Sequence, residues 1–302
     1  MKPDKIRNII LKAIYSDNYL KETLVLKGGN ALKFHNITER SSQDLDFSIG
    51  ETIRYEKENQ GEKLKKLISD AFHKVGFLVV GFEFINKPKK RHIDLPPYWG
   101  GYMISFSIID EKQYEDKINE INKEDHSRLK ELSRYGEKLE DNKKKIEIDL
   151  SYDEYVADKE SYDLEGTTIY LYSPLMIVYE KIRASCQQLK EYPLTTNKTR
   201  ARDLFDIYKT LTNSKQVDLR EAVLDEKNFY ILENIFEAKK VPLELMKKLE
   251  SKKDDLAEDY ESRVKPQIPN DEDKVDFDYL FFYNDDLFKK LFDKYKIYKQ
   301  EN

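Results

Sequence analysis

Three aspartates are the residues of this chain whose type and spacing best suit chemistry. Asp44 and Asp46 stand two apart in DLDFSI, where Leu45, Phe47 and Ile49 alternate with polar residues. That is the period of a strand, and strand side chains alternate faces, so both carboxylates point the same way. Side-by-side hard oxygens suit Mg²⁺ (or Mn²⁺), which takes one or two carboxylates together with substrate phosphates. Asp149 lies in a second alternating segment, IEIDLS, with Ile146, Ile148 and Leu150 on the opposite face. If the two strands are neighbours, three carboxylates converge, as metal-assisted phosphoryl transfer requires. Taken alone, an Asp-x-Asp pair is more often a polar strand face or a turn.

Other residues could serve the same chemistry. Lys27-Gly28-Gly29-Asn30 follows an apolar run and precedes a helical pattern. Paired glycines there let backbone N–H groups approach a phosphate closely, although a plain turn has the same composition. Arg40 and Ser42 fall just before the acidic pair; Ser42 could donate to a phosphate oxygen, and Arg40 could brace the carboxylates. Lys181 and Asp203 sit in two later helical segments and, from spacing alone, are an ion pair docking one helix on another. The four histidines, His35, His73, His92 and His126, show no ligand spacing, and no Gly-x-x-x-x-Gly-Lys-Ser/Thr loop is present. Cys186, the one cysteine, lies in a helical pattern and reads as a small buried residue.

The elements that must position these residues are legible from periodicity. Ile6, Ile9, Ile10, Ala13 and Ile14 mark an opening helix, and Leu64, Leu67, Ile68, Ala71 and Phe72 a second within 62–75. Strands are expected near 45–49, 77–85, 103–109, 145–150 and 167–171. Residues 111–140 are mostly charged yet keep a helical rhythm, so they read as one or two exposed helices inserted between strands. After Ser173-Pro174 the pattern turns helical: 175–189, with Pro in the first turn, and 201–211. The expected organisation is an α/β core over 1–172 with a charged insertion at about 111–140, then a helical domain over 173–302.

Composition sets bounds. The chain has 302 residues, 37% of them charged and 12% aromatic, including 21 Tyr. Disordered chains are poor in aromatics, so this one folds. No apolar run approaches the roughly 20 residues that span a bilayer, and a soluble, cytoplasmic protein with no membrane partner is expected. The net charge of -5 does not advertise a nucleic-acid binder. Charge can still segregate, as in Lys87, Lys89, Lys90, Arg91 and His92, or in Lys198, Arg200 and Arg202.

The segment LKGGNALKFHNITERSSQDLDFSI resembles the first motif of the AbiEii/AbiGii abortive-infection toxin family, within the polymerase-β-like nucleotidyltransferase superfamily. The match runs through Gly28, Gly29, Asn30, Ala31 and Leu32, then Arg40, Ser42, Asp44, Leu45, Asp46 and Phe47. Asn30 stands where Thr is more usual, which keeps a small polar donor. IEIDLS looks like the segment carrying the third carboxylate, and YEKIRAS and TRARDLFDIY look like the family's helical motifs, which supply Lys181 and Asp203. The resemblance implies a polymerase-β-like α/β core with a mixed sheet, followed by a helical domain. It implies a metal-dependent enzyme, with metal on Asp44, Asp46 and Asp149. Gly28, Gly29, Asn30, Arg40, Ser42 and Lys181 would then hold the NTP, and Asp203 would orient Lys181. It further implies a toxin of a bacterial toxin–antitoxin or phage-defence system, with a cognate antitoxin encoded alongside and tRNA as the expected acceptor. A protein hydroxyl is the alternative acceptor, and a non-catalytic nucleotide-binding protein on the same fold is the alternative of a different class.

Overall fold

The structure, a computed structural model, describes residues 1–38, 44–89, 95–120, 130–139, 143–195, 198–213 and 218–301. Arg40 and Ser42 therefore lie outside the described residues, as do Lys90, Arg91 and His92. Two compact units are formed. One comprises Met1–Leu26, Ser42–Val156 and Ser161–Leu171; the other comprises Lys27–Ser41, Ala157–Glu160 and Tyr172–Asn302. The segment with the paired glycines thus groups with the C-terminal helices.

The first unit is built on a sheet. Helices α1 (Pro3–Tyr15) and α2 (Asn18–Thr23) lead into β1 (Leu24–Lys27). A short helix, α3 (Gly28–Phe34), belongs to the other unit; then come β2 (Leu45–Ile49) and α4 (Glu62–His73). Strands β3 (Phe77–Lys87) and β4 (Gly101–Asp110) precede α5 (Glu111–Glu120), a 3₁₀ segment at Lys130–Tyr135, and β5 (Ile146–Ser151). Strands β6 (Lys159–Leu164) and β7 (Thr167–Tyr172) complete a seven-stranded sheet of order β3-β4-β5-β2-β1-β7-β6. It is mixed: β2 runs parallel to β5 and β1 to β7, while β4 is antiparallel to both β3 and β5.

Alternation decides the two faces over β2 to β5. Leu45, Phe47 and Ile49 are buried, as are Ile146, Ile148 and Leu150. With Tyr102, Ile104 and Phe106 of β4 they form one apolar face. The stripe Leu64, Ile68 and Phe72 of α4 is fully buried; Phe72 meets Phe106 edge-on with centroids 6.0 Å apart, and α1 packs on α4. The opposite face keeps the polar members of each alternation. The insertion covers one end of it, where buried Leu132 packs on Val80 and Ile109, with Leu78 and Tyr114 beside them.

The expected strands and long helices are present, and two local differences have physical causes. Strand β6 lacks a strand signal in the sequence because KESYDL carries only Tyr162 and Leu164 on one face and no apolar residue on the other, and most of its side chains are exposed or half-buried. The helix expected over 175–189 ends at Cys186, after which Leu189 and Tyr192 continue into the core as turns.

The second unit is helical. After α3 it holds α6 (Pro174–Cys186), α7 (Ala201–Asn213), α8 (Leu219–Val223) and α9 (Phe229–Glu237). A 3₁₀ stretch at Leu243–Lys252, α10 (Lys253–Asp259) and α11 (Phe277–Glu301) follow. Ser173 caps α6 by accepting from the Met176 N–H at 3.3 Å, and Pro174 occupies the first turn. Helix α6 is buried nearly all round, with α7 and α9 packed on it. Cys186 is buried within it, and burial pushes its thiol up. No helix among the described residues is long and apolar enough to cross a membrane.

Candidate active site

The strand register brings two of the three predicted carboxylates abreast. Asp46 of β2 is the direct partner of Asp149 of β5 on the adjacent parallel strand. Paired residues on neighbouring strands project to the same face, with strands about 4.8 Å apart. Their flanking residues, Leu45 with Ile148 and Phe47 with Leu150, pair into the apolar face and hold this register. A slip by one residue would turn those four side chains outward, so core burial fixes which face receives the aspartates. Both carboxylates are half-buried; Asp44 stands exposed at a bend just before β2.

The same face supplies a cation. Lys87 ends β3, opposite Gly101 of β4, which in turn pairs with Ser151 of β5. That places Lys87 one side-chain step along the face from Asp149, and its ammonium donates to Asp149 Oδ2. In sequence Lys87 opens a basic cluster; antiparallel pairing of β3 and β4 gives it this contact.

The donor set fits Mg²⁺ or Mn²⁺. Asp46 and Asp149 offer hard oxygens side by side, with Asp44 next along the chain, and the attraction of an ammonium to Asp149 shows that the position favours positive charge. Among the described residues no group of three His, Cys, Asp or Glu side chains stands close enough to cage a metal. Such an arrangement matches a metal shared between one or two carboxylates and substrate phosphates. Carboxylates without a cation between them also repel, which favours looser spacing.

In the second unit, Gly28 opens α3 at φ +68°, a conformation that favours glycine, and Asn30 is buried. Lys181 of α6 and Asp203 of α7 are joined: Lys181 Nζ donates to Asp203 Oδ1 at 3.0 Å and to Asp206 Oδ2 at 2.7 Å. Lys181, Asp203 and Asp206 are 5%, 6% and 3% exposed. Arg200 Nε adds a bond to Asp203 Oδ2 at 2.6 Å. Burial works against the Lys181 charge, but attraction to Asp203 and then Asp206 outweighs it and holds the ammonium above the ordinary lysine range. Burial likewise opposes the Asp203 charge, but Arg200 and Lys181 outweigh it and hold the carboxyl well below the usual range. Asp206 was not singled out in the sequence, although Asp203 and Asp206 at i and i+3 share a helix face, which was the available signal.

The sequence profile described as "Nucleotidyl transferase AbiEii toxin, Type IV TA system" matches residues 9–283. The chain belongs to the AbiEii nucleotidyltransferase toxin family. As an AbiEii nucleotidyltransferase it is an enzyme, and the type IV toxin–antitoxin setting implies a cognate antitoxin. Among curated proteins none matches. Two solved structures resemble the AbiEii chain at 18% identity and TM-score 0.45. One is JHP933 from Helicobacter pylori, with 99% of this chain and 94% of that one covered. The other is described as a candidate nucleotidyltransferase from H. pylori, with 97% and 94% covered.

Proposed function

We propose that this AbiEii nucleotidyltransferase uses Asp44, Asp46 and Asp149 to transfer a nucleotide from an NTP to a hydroxyl of RNA, with tRNA as the acceptor. The observation that carries the reading is the in-register pairing of Asp46 with Asp149 on one polar sheet face, over an apolar face that fixes it. The acceptor oxygen attacks the α-phosphorus, and the bond from that phosphorus to the bridging oxygen of the β-phosphate breaks. Pyrophosphate leaves with the electron pair, and Asp149 receives the acceptor's proton. Mg²⁺ or Mn²⁺ held by the carboxylates would supply neutralisation of the triphosphate's charge and polarisation of the attacking oxygen.

Gly28, Gly29, Asn30, Arg40 and Ser42 are assigned to the nucleotide's phosphates on the family motif. Lys181 is assigned to them as well, with Asp203 as its positioning partner. Lys181 donates to Asp203 and Asp206, so the two carboxylates fix the position of its ammonium. The setting is that of a toxin acting in phage defence, with its antitoxin encoded alongside.

The test is incubation with each radiolabelled NTP, Mg²⁺, total tRNA and total protein. Label is expected in RNA from wild type and at background from Asp46→Asn. Label confined to protein would move the acceptor to a protein hydroxyl, and undiminished labelling by Asp46→Asn would remove the carboxylate site.

A further inference from the structure

The polar sheet face does not end at the aspartates. One side-chain step along it stand Glu147 of β5, Ser105 of β4 and Glu83 of β3, paired in register. Beyond them, at the β3 edge of the sheet, opens a groove of about 660 Å³. Its charged lining is Lys65 of α4, Glu83, Arg134 of the 3₁₀ segment, and Lys144 and Lys145 just ahead of β5.

The fold builds this groove deliberately at one point. The β3–β4 register shifts between Val80 and Glu83, and Gly81 there adopts φ +64°. A Cβ at Gly81 would lie 2.8 Å from Ser133 Oγ, so glycine lets the 3₁₀ segment carrying Arg134 lie against the bulge. The Lys144 ammonium donates to the Arg134 carbonyl, tying the two lips together. Lys145 Nζ donates to Glu83 Oε2 at 3.3 Å. Among the described residues that line the groove, four basic side chains thus face one carboxylate, with Lys65 also paired to Glu62 of its own helix, in a chain whose net charge is -5. Lys65, Arg134 and Lys145 are exposed, and such a local surplus of positive charge creates a positive potential at the surface.

We propose that this groove holds the phosphate backbone of the RNA whose hydroxyl is presented to Asp46 and Asp149. The inference rests on the RNA-acceptor reading above and adds where the acceptor lies. Lys145, Glu147 and Asp149 alternate onto one face, so Lys145 stands about 13 Å from Asp149 at the rise of an extended strand. A ligand reaching both needs a hydroxyl at one end and negative charge strung along its length, which a nucleotide chain provides. An NTP whose phosphates sit at the carboxylates carries its negative charge there and has only an uncharged sugar and base to send further. In the second unit, by contrast, Arg200 donates its Nε–H to Asp203 and Arg202 donates to Gln267.

The experiment is fluorescence anisotropy of a labelled single-stranded RNA oligonucleotide titrated over KCl, without NTP or Mg²⁺. Wild type is compared with Arg134→Gln/Lys145→Gln, both exposed positions, and with Glu83→Gln. Each phosphate contact contributes a log–log salt slope of about -0.7 for single strands, so the double variant should flatten the slope by about 1.4. Glu83→Gln should tighten binding. Affinity for a fluorescent NTP with Mg²⁺, and the melting temperature, should stay at wild-type values in both. Wild-type protein that binds no RNA overturns the groove, while the RNA-acceptor reading stands or falls on the labelling of total tRNA. Wild-type binding with an unchanged slope in the double variant overturns the groove alone. A lost NTP affinity with an unchanged RNA slope gives the groove to the triphosphate and overturns the inference equally.

Discussion

At the scale of single residues, Asp46, Asp149 and Lys87 have distinct consequences. Asp149→Asn keeps the shape but removes a proton acceptor, so turnover should fall roughly 10²–10⁴-fold, the range for a group acting on a reacting proton. Its melting temperature should stay near wild type, because Asp149 is half-buried and its bond is to a half-exposed lysine. Near-normal turnover in a labelling assay would return Asp149 to a merely polar strand position. Lys87 and a divalent cation compete for the same carboxylate. Ion pairs this exposed contribute about 0.2–1 kcal/mol, so Lys87→Gln should lower the Mg²⁺ concentration for half-maximal turnover by up to about fivefold. A Mg²⁺ titration that shifts the other way would show that Lys87 assists the reaction itself.

At the scale of elements, α6 and α7 are joined by buried charge. Lys181 neutralises two carboxylates, and removing one partner of such a cluster costs about 3–5 kcal/mol. Lys181→Met should therefore lower the melting temperature sharply, with Lys181→Met/Asp206→Leu recovering part of the loss. Any loss of turnover in the single variant has to be read against that. The pH dependence follows from the shift directions. Asp203 is held below its unfolded value, so its contribution is complete above about pH 4 and is lost as pH falls through the folded value. Lys181 is held above its unfolded value, so its contribution is complete below about pH 10 and is lost as pH rises through the folded value. The melting gap between wild type and Lys181→Met should narrow in acid, as the carboxylates left behind in the variant take up protons; a gap that widens in acid would contradict the cluster's energetics.

At the scale of the whole molecule, metal and fold are separable. Each unit has its own packed core, and the charge of Asp149 is already offset by Lys87. EDTA should therefore stop transfer while leaving the calorimetric melting temperature unchanged, and Mg²⁺ should restore transfer. A melting temperature that drops with EDTA would make the metal structural. The family assignment, over residues 9–283, spans both units, so the helical unit belongs to the family as much as the sheet does.

The sequence by itself determined the strands of the carboxylates, because strict alternation around Asp46 and Asp149 leaves one burial pattern open to each. It determined α6 through Ser173-Pro174, and α7 through its apolar stripe, because caps and periodicity are local. It also carried the family, through the spacing of Gly28, Gly29, Asp44 and Asp46. Only the tertiary structure decided that β2 and β5 are parallel neighbours in a register that sets Asp46 against Asp149, since strand pairing is non-local. Likewise, only antiparallel pairing at the sheet edge brought Lys87 to Asp149 and gathered Lys65, Arg134 and Lys145 around one bulge, from segments far apart in the chain. Charge runs in a sequence report composition; which charges meet is set by the register that the buried apolar residues impose.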